Sequence, residues 1–154
     1  MITQFFQRFF LMTVICSVIA CSEQNQPDNN VQFLAHAAQT QSQMNEKWQI
    51  INYWAVWCKP CIEEIPALNQ LAEEQQQLQV IGINFDKPEQ KQLEQDVKKL
   101  GIEFPIALTE LHQRYQYDYP KVLPTTVIVA PGGQVKTLLQ GPQTADTILK
   151  AMAE

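Results

Sequence analysis

The chain has 154 residues, of which 45% are hydrophobic and 18% are charged, and its formal net charge is −5. This length fits one compact domain with some additional sequence and leaves no room for a second domain. The basic residues are scattered along the chain without forming a run, so nucleic acid is not an expected partner.

Residues 1–20 have the pattern of a secretory signal. Arg8 is the only charge, and the apolar run that follows it ends in small residues. The run is shorter than the roughly 20 apolar residues that a membrane span requires. The letters VIAC at its end resemble a bacterial lipobox, so we predict a lipoprotein signal with lipid attachment at Cys21. A plain signal peptide and an uncleaved anchor are the alternatives.

This interpretation leaves one thiol pair in the folded part of the chain. Cys16 is removed with the signal and Cys21 is acylated, so Cys58 and Cys61 remain. An exported protein lies in a compartment that permits disulfides. Residues 21–30 are polar, include a proline and show no apolar periodicity, which predicts a flexible tether after the lipidated cysteine.

The first half of the domain, assigned to residues 31–154, begins with an ambiguous segment. Residues 31–47 are rich in Ala and Gln, which favours a helix, and the central part of the domain is expected to begin near Trp48. The letters QIINYWAV predict a buried strand. From Lys59 onward apolar residues recur at helical spacing, with Pro60 in the first turn and Pro66 expected to kink the helix.

The second half alternates in the same way. LQVIGINFD predicts a buried strand, PEQKQLEQDVKKLG an amphipathic helix closed by Gly101, and FPIAL a short extended piece. A short helical segment is expected near residues 111–117. PTTVIVA, PGG and QVKTLLQ predict a hairpin, and TADTILKAM a final helix capped by Thr144. This order predicts an α/β fold with a mixed central sheet between helical layers.

The spacing of Cys58 and Cys61 suggests exchange chemistry. At the start of a helix, unpaired N–H groups and the helix dipole favour an anion, so Cys58 is the predicted attacking thiolate. Cys61, one turn further along, is the predicted resolving thiol. A structural disulfide closing so short a loop would be a poor staple. A zinc site would need further ligands, and only His36 and His112 are available as histidines.

Several ordered landmarks resemble the thioredoxin superfamily. They are YWAVWCKPC after a strand, Pro66 after the second cysteine, LPTTVIV downstream, and PGGQV leading to Gly141. The long segment between the cysteines and Pro124, together with Asn52 and Glu64, narrows the resemblance to TlpA/ResA-type tethered thiol-disulfide oxidoreductases. It implies a thioredoxin-like three-layer fold with an extra strand–helix insertion before a cis-proline. That family often opens with a β-hairpin, which residues 31–47 do not resemble.

The resemblance also implies roles for individual residues. Pro124 is expected to be cis and to present the Leu123 backbone beside the sulfurs, where an extended substrate could pair with it. Pro124 starting a strand as an ordinary trans proline is the alternative.

The residues around the cysteines complete the candidate site. Trp57 is expected to help form the partner surface, while Tyr53 and Trp54 are expected in the core. Lys59, with Pro60 beside it between the cysteines, is placed to tune Cys58 but by default is solvated.

Glu64 and its neighbour Glu63 admit two interpretations. Glu64 lies on the cysteine face of the predicted helix, where it could be a buried proton acceptor for Cys61 with a pKa raised by desolvation. The alternative is that both carboxylates lie on a solvated helix face, which is the usual location of such a pair. We favour the first for Glu64 and leave Glu63 in water.

The predicted function is therefore disulfide exchange without a separate cofactor or metal, the redox group being the Cys58–Cys61 pair. The resemblance implies a reductant of exported protein disulfides, for example in cytochrome c maturation, that faces the periplasm and is re-reduced by a membrane-embedded thiol donor. A thiol oxidant of the same fold is one alternative. A copper-binding envelope lipoprotein is another, although no Met or His lies next to the pair.

Overall fold

The computed structural model describes residues 30–154. The predicted signal sequence and Cys21 lie outside the described residues, as does the predicted tether except for its last residue. That residue, Asn30, is the first residue of a strand.

Helices and strands alternate along most of the described chain. The strands are β1 (Asn30–Leu34), β2 (His36–Thr40), β3 (Trp48–Trp54), β4 (Leu78–Asn84), β5 (Ile106–Ala107), β6 (Thr125–Val129) and β7 (Val135–Gln140). The helices are α1 (Gln41–Met44), α2 (Lys59–Glu74), α3 (Gln90–Leu100), α4 (Leu111–Tyr115) and α5 (Ala145–Ala153).

The strands form one mixed sheet in the order β2-β1-β5-β4-β3-β6-β7. β4 is parallel to β3 and to β5, whereas β6 is antiparallel to β3 and to β7. β1 is antiparallel to both β2 and β5. Because β3 is paired on both sides and covered on both faces, its apolar sequence QIINYW is almost entirely buried.

Alternate residues of β3 feed two cores on opposite faces of the sheet. Ile50 and Trp54 pack with apolar side chains of α2, α3 and α5. Ile51 and Tyr53 pack on the other face with side chains of α1 and α4. The arrangement is a sheet between two helical layers, so the predicted thioredoxin-like α/β fold is confirmed, as are the core positions of Tyr53 and Trp54.

The prediction of a helix over residues 31–47 is wrong. The segment forms the antiparallel hairpin β1–β2 followed by the single turn α1. In β1, Val31 and Phe33 are buried while Asn30 and Gln32 are exposed, which is the alternation of a strand. β1 pairs with β5, so the sheet begins well before Trp48.

The insertion before the cis-proline is present as predicted. α3 and β5 lie between β4 and Pro124, and Gly101 ends α3 in the left-handed conformation at φ 65°. The short helix α4, the hairpin β6–β7 and the Thr144 cap of α5 are also where the sequence predicts them. α2 continues through Pro66 to Glu74.

A glycine in β4 lies where the sheet packs closely against the insertion. A Cβ atom at Gly82 would lie 2.5 Å from Ile106 Cδ1 and 2.9 Å from Phe104 Cε2. We expect Gly82→Ala to lower the free energy of unfolding by about 1–3 kcal/mol, because a full core must shift to admit the methyl group. Urea unfolding measures the change, with Gln79→Ala on the same strand as the control. Equal urea midpoints for Gly82→Ala and Gln79→Ala would contradict the inferred crowding around Gly82.

Candidate functional site

The cysteine pair lies at the junction between β3 and α2. Cys58 is the N-cap residue of α2, and its sulfur accepts a hydrogen bond from the Cys61 backbone N–H at 3.3 Å. The two sulfurs are joined in a disulfide, with 5.3 Å between the Cα atoms. Cys58 is 4% exposed and Cys61 1%, so the second sulfur is the more shielded. The first sulfur therefore lies where the N–H groups of the helix stabilise a thiolate in the reduced form.

The residues that flank Cys58 lie mainly on the surface. Trp57 is 63% exposed, and its Nε1 donates to Asp86 Oδ2 at 2.8 Å, which holds the indole in place. Lys59 Nζ lies 3.7 Å from the Glu63 carboxylate, and both side chains are well exposed. Pro60 occupies the first turn of α2, where its missing N–H leaves no helical bond unmade. The expected surface position of Trp57 and the solvation of Lys59 and Glu63 are confirmed.

The Leu123–Pro124 peptide bond is cis, as the resemblance implied. Thr125, the next residue, pairs with Tyr53 near the carboxyl end of β3, so this loop lies at the same end of the sheet as the cysteines. The Pro124 carbonyl accepts a hydrogen bond from the Gly141 N–H at 2.9 Å. Pro124 is buried and Leu123 is half-buried, with its side chain packed against the apolar residues of both cores.

Glu64 is buried on the inner face of α2 and is 4% exposed. Its Oε1 accepts a hydrogen bond from Asn52 Nδ2 at 2.7 Å, and its Oε2 accepts one from the Gln143 backbone N–H at 2.7 Å. Burial raises the pKa of this carboxyl group, and the two hydrogen bonds oppose the rise without cancelling it. The predicted burial and the direction of the pKa shift are confirmed, and the solvated alternative is wrong for Glu64.

The raised pKa of Glu64 predicts a specific dependence of stability on pH. Between the ordinary pKa of glutamate, 4.5, and the higher pKa of Glu64 in the folded protein, the folded protein keeps the carboxyl proton that the unfolded chain has released. The contribution of Glu64 to stability therefore falls as the pH rises through this range. We expect the unfolding free energy of the wild type, minus that of Glu64→Gln, to decrease across this window and then level off. Urea unfolding at a series of pH values measures the difference.

Glu63→Gln is the control for this measurement, because its exposed carboxylate changes environment little on unfolding. Curves for the wild type and Glu64→Gln that run parallel across the whole pH range would contradict the prediction.

Three contacts of the site were not foreseen from the sequence. The sequence singles out Asn52 only as a feature of the TlpA/ResA-type resemblance, although a polar residue inside an apolar strand is a signal of a buried hydrogen bond. Asp86, the partner of Trp57, lies just beyond β4 and has no local pattern that indicates its contact. Gln143 acts through its backbone N–H, which any residue except proline would supply.

Other features of the described chain bear on the remaining predictions. Within residues 30–154, no group of three or more His, Cys, Asp or Glu side chains is arranged to hold a metal ion. His36 contacts the Leu34 carbonyl, and His112 lies 3.0 Å from Glu110 on the other side of the sheet from α2. None of the helices in this part of the chain is both long and apolar enough to cross a membrane.

Comparison with known proteins decides the family. Residues 23–138 match the model of the AhpC/TSA family. The chain belongs to the AhpC/TSA family. This match covers most of the sheet together with Cys58, Cys61, Glu64 and Pro124, and it agrees with the thioredoxin-like architecture of the described residues.

Curated proteins similar in sequence to this AhpC/TSA chain include a thiol-disulfide oxidoreductase and a thioredoxin-like protein. It is 30% identical over 104 residues to the thiol-disulfide oxidoreductase ResA of Geobacillus kaustophilus, a match that covers 66% of this chain and 59% of the relative. It is 29% identical over 124 residues to the thioredoxin-like protein YneN of Bacillus subtilis, covering 79% of this chain and 72% of the relative. The chain thus spans less than two thirds of the length of the ResA protein.

Solved structures share the fold of this AhpC/TSA chain. StoA from Bacillus subtilis superposes with a TM-score of 0.65 at 19% identity, covering 80% of this chain and 94% of StoA. A DsbF homologue from Corynebacterium diphtheriae superposes with a TM-score of 0.68 at 21% identity, covering 80% of this chain and 82% of the homologue. These likenesses establish the fold, and the ResA-type resemblance of the sequence agrees with them.

Proposed function

We propose that this protein is a thiol-disulfide oxidoreductase that acts on protein disulfides through Cys58 and Cys61. The observation that carries the proposal is the Cys58–Cys61 disulfide at the first turn of α2, with the Cys58 sulfur accepting the Cys61 N–H. Membership of the AhpC/TSA family and the names of the relatives support it. No additional cofactor is needed, because the cysteine pair itself holds the two electrons.

The exchange proceeds in two steps. In the reduced protein, the Cys58 thiolate attacks one sulfur of the substrate disulfide, which forms a mixed disulfide and releases the other substrate sulfur as a thiolate. Cys61 then loses its proton and attacks the Cys58 sulfur. The Cys58–Cys61 disulfide forms and the second substrate sulfur leaves, so two electrons pass from the protein to the substrate.

Glu64 is the proposed acceptor of the Cys61 proton. It is buried one turn beyond Cys61 on the same helix, and burial favours its neutral form. A carboxyl group whose pKa is raised toward that of a thiol is better suited to exchange a proton with it. Its proton then becomes available to the departing substrate thiolate.

The substrate is proposed to dock around the cysteines, at the end of the sheet where β3 meets α2. Trp57 presents an indole that is 63% exposed beside Cys58. The Leu123 backbone, next to the cis-proline, is the proposed site of pairing with an extended chain. Pro124 shapes this loop, while Lys59 and Pro60 form the outer rim of the first helical turn. A protein disulfide or dithiol is the substrate class that such a surface accepts.

The direction and the location complete the proposal. We place the protein in the bacterial cell envelope as a periplasm-facing reductant, used in cytochrome c maturation or a similar process, that is anchored through a lipid on Cys21. A membrane-embedded thiol donor would restore its dithiol. The signal-like sequence before Cys21 and the ResA relatives support this, and a thiol oxidant with the same site is the alternative.

Insulin reduction tests the activity. The reduced wild-type protein is expected to precipitate the insulin B chain catalytically in the presence of a dithiol, whereas Cys58→Ser is expected to show only the uncatalysed rate. Glu63→Gln, altered on the exposed face of the same helix, is the control and should keep the wild-type rate. Catalysis by Cys58→Ser, or none by the wild type, would overturn the proposed function.

A further inference from the structure

A buried polar network links α2 to the centre of the sheet. Asn52 Nδ2 donates to Glu64 Oε1 at 2.7 Å and also lies 3.2 Å from Thr126 Oγ1, across the β3–β6 pair. Asn52 is 1% exposed and Thr126 0%, so both side chains are shielded from bulk solvent. Asn52 occupies the α2 face of β3 because it alternates with Ile51 and Tyr53, which belong to the opposite core.

The Asn52 amide has an unusual balance of donors and acceptors. Its Nδ2 group serves both Glu64 and Thr126, whereas its Oδ1 is buried without a hydrogen-bond partner in the part of the chain that the structure describes. A buried acceptor left unpaired is costly, and folded proteins rarely keep one without a reason. A carboxylate beside Nδ2 requires a donor, which fixes this orientation of the amide while Glu64 is ionised.

Protonation of Glu64 on Oε1 reverses this orientation. Oε2 already accepts the Gln143 N–H, and an O–H on Oε1 is a donor that faces the Asn52 amide, so the Oδ1 atom becomes its acceptor when the amide rotates by half a turn. The terminal torsion of asparagine is broad and roughly two-fold, which makes this rotation accessible. Thr126 tolerates both orientations because its hydroxyl group both donates and accepts.

We propose that Asn52 is a positioning residue whose amide holds Glu64 in the same place in both its ionised and its protonated form. This inference rests on the proposed role of Glu64 in the exchange. Cys61–SH and Glu64–COO⁻ give Cys61–S⁻ and Glu64–COOH, and the Asn52 amide then changes from donor to acceptor. After the thiolate has closed the disulfide, Glu64 passes its proton to the substrate thiolate and the amide returns.

The groups that donate hydrogen bonds to Glu64 are neutral dipoles, the Asn52 amide and the Gln143 backbone N–H. β3, β6 and the 141–143 loop carry no Asp, Glu, Lys, Arg or His. On α2 the charged neighbours are Lys59, Glu63, Glu73 and Glu74, and on α5 they are Asp146 and Lys150, all of them exposed. On the buried face of α2 the other titratable groups are Cys58 and Cys61. On α3, which packs in the same core, Asp96 is buried and its Oδ1 accepts a hydrogen bond from Gln92 Nε2, while the other charged side chains of that helix are exposed. Asn52 and the Gln143 N–H are therefore the groups that tune this carboxyl group.

The test uses Asn52→Leu, which keeps the size of the side chain and removes the amide. Asn52→Leu removes the hydrogen bond from both forms of Glu64, but the bond to the charged carboxylate is the stronger of the two, so its loss is expected to raise the pKa of Glu64 further. Carbon-13 NMR of the glutamate carboxyl groups in the disulfide form follows this titration. Insulin reduction at neutral pH is expected to fall roughly tenfold and to recover at higher pH, because more Glu64 is then ionised.

Thr126→Val is the matched control. It removes the other contact of the Asn52 Nδ2 group from the same buried network but leaves the donor to Glu64 in place. It is expected to lower stability without moving the Glu64 titration or the pH profile of reduction. An unchanged Glu64 titration in Asn52→Leu, or an equal change in Thr126→Val, would overturn the proposal.

Two further variants keep the outcome clear. Asn52→Ser has a smaller polar side chain with a hydroxyl group in place of the amide, and it replaces Asn52→Leu if that variant does not fold. It is expected to move the titration in the same direction, and no movement would count against Asn52. Glu64→Gln tests the proposed function separately. If it reduces insulin with the wild-type pH profile, the proton-acceptor role fails, whatever Asn52 does to the titration.

Discussion

In a Cys61→Ser variant, the mixed disulfide between Cys58 and a protein substrate is expected to persist. Cys61 is held in the first turn of α2 with its Cα 5.3 Å from that of Cys58, so its attack on the Cys58 sulfur is intramolecular. A thiol from solution must replace it in the variant. Because well-oriented intramolecular reactions have very high effective molarities, release of the substrate should slow by on the order of a thousandfold or more.

The mixed disulfide can be measured directly. The reduced variant is mixed with a disulfide-bonded substrate such as insulin, free thiols are blocked, and the adduct is followed by non-reducing electrophoresis and mass spectrometry. Cys58→Ser is the control and should form no adduct, because Cys61 is 1% exposed. An adduct on Cys61 in that control, or release by Cys61→Ser at the wild-type rate, would reverse the assigned roles. The same variant in cells would capture the client protein.

Alanine substitution is expected to affect different properties at two tryptophans near the β3–α2 junction. Trp54→Ala should lower stability, whereas Trp57→Ala should lower activity. Trp54 is fully buried, and its backbone carbonyl accepts the Phe85 N–H at 2.8 Å. Trp54→Ala is expected to lower the free energy of unfolding by about 3–5 kcal/mol. Since domains of this size are stable by about 5–15 kcal/mol, this is a large share of the total. Denaturant unfolding with intact and reduced disulfide measures it.

Trp57→Ala is the counterpart of this prediction. Trp57 is 63% exposed, and its one side-chain hydrogen bond, to Asp86, lies at the surface, so stability should change by less than about 1 kcal/mol. Reduction of insulin is expected to weaken, whereas exchange with a small disulfide that needs no docking surface should be little affected. A Trp57→Ala protein as unstable as Trp54→Ala, or fully active on insulin, would contradict this division of roles.

The elements whose sequence pattern and tertiary role agree were predictable. α2 shows apolar spacing with Cys61, Ile65 and Leu68 on one face, and these residues are buried as the spacing predicts. Glu64 could be separated from Glu63 because only one of two adjacent helical positions can share the cysteine face. The Cys58 cap followed from the same spacing.

The N-terminal hairpin was missed because local propensity and tertiary context disagree there. The Ala- and Gln-rich sequence favours a helix, yet pairing with β5 stabilises a strand. The tight turn between β1 and β2 places Ala35 at φ 54°, where a glycine or asparagine would have indicated a hairpin. No residue in the segment carries that signal.

The environment of Glu64 was only partly predictable for a different reason. The bond from the Gln143 N–H joins residues 79 positions apart, and the contact between Asn52 and Thr126 joins residues 74 positions apart. Such pairs depend on the register of the whole sheet. A backbone donor in addition leaves no mark in the amino-acid sequence.

These long separations have a consequence for the order in which the molecule matures. The cysteines are only three positions apart and can oxidise as soon as the first turn of α2 forms. The carboxyl group beside them acquires its surroundings only after β6 and the β7–α5 connection have docked, which is slow because distant segments must meet. A nascent chain released early would therefore carry an oxidisable sulfur pair before it could regulate the proton on Glu64.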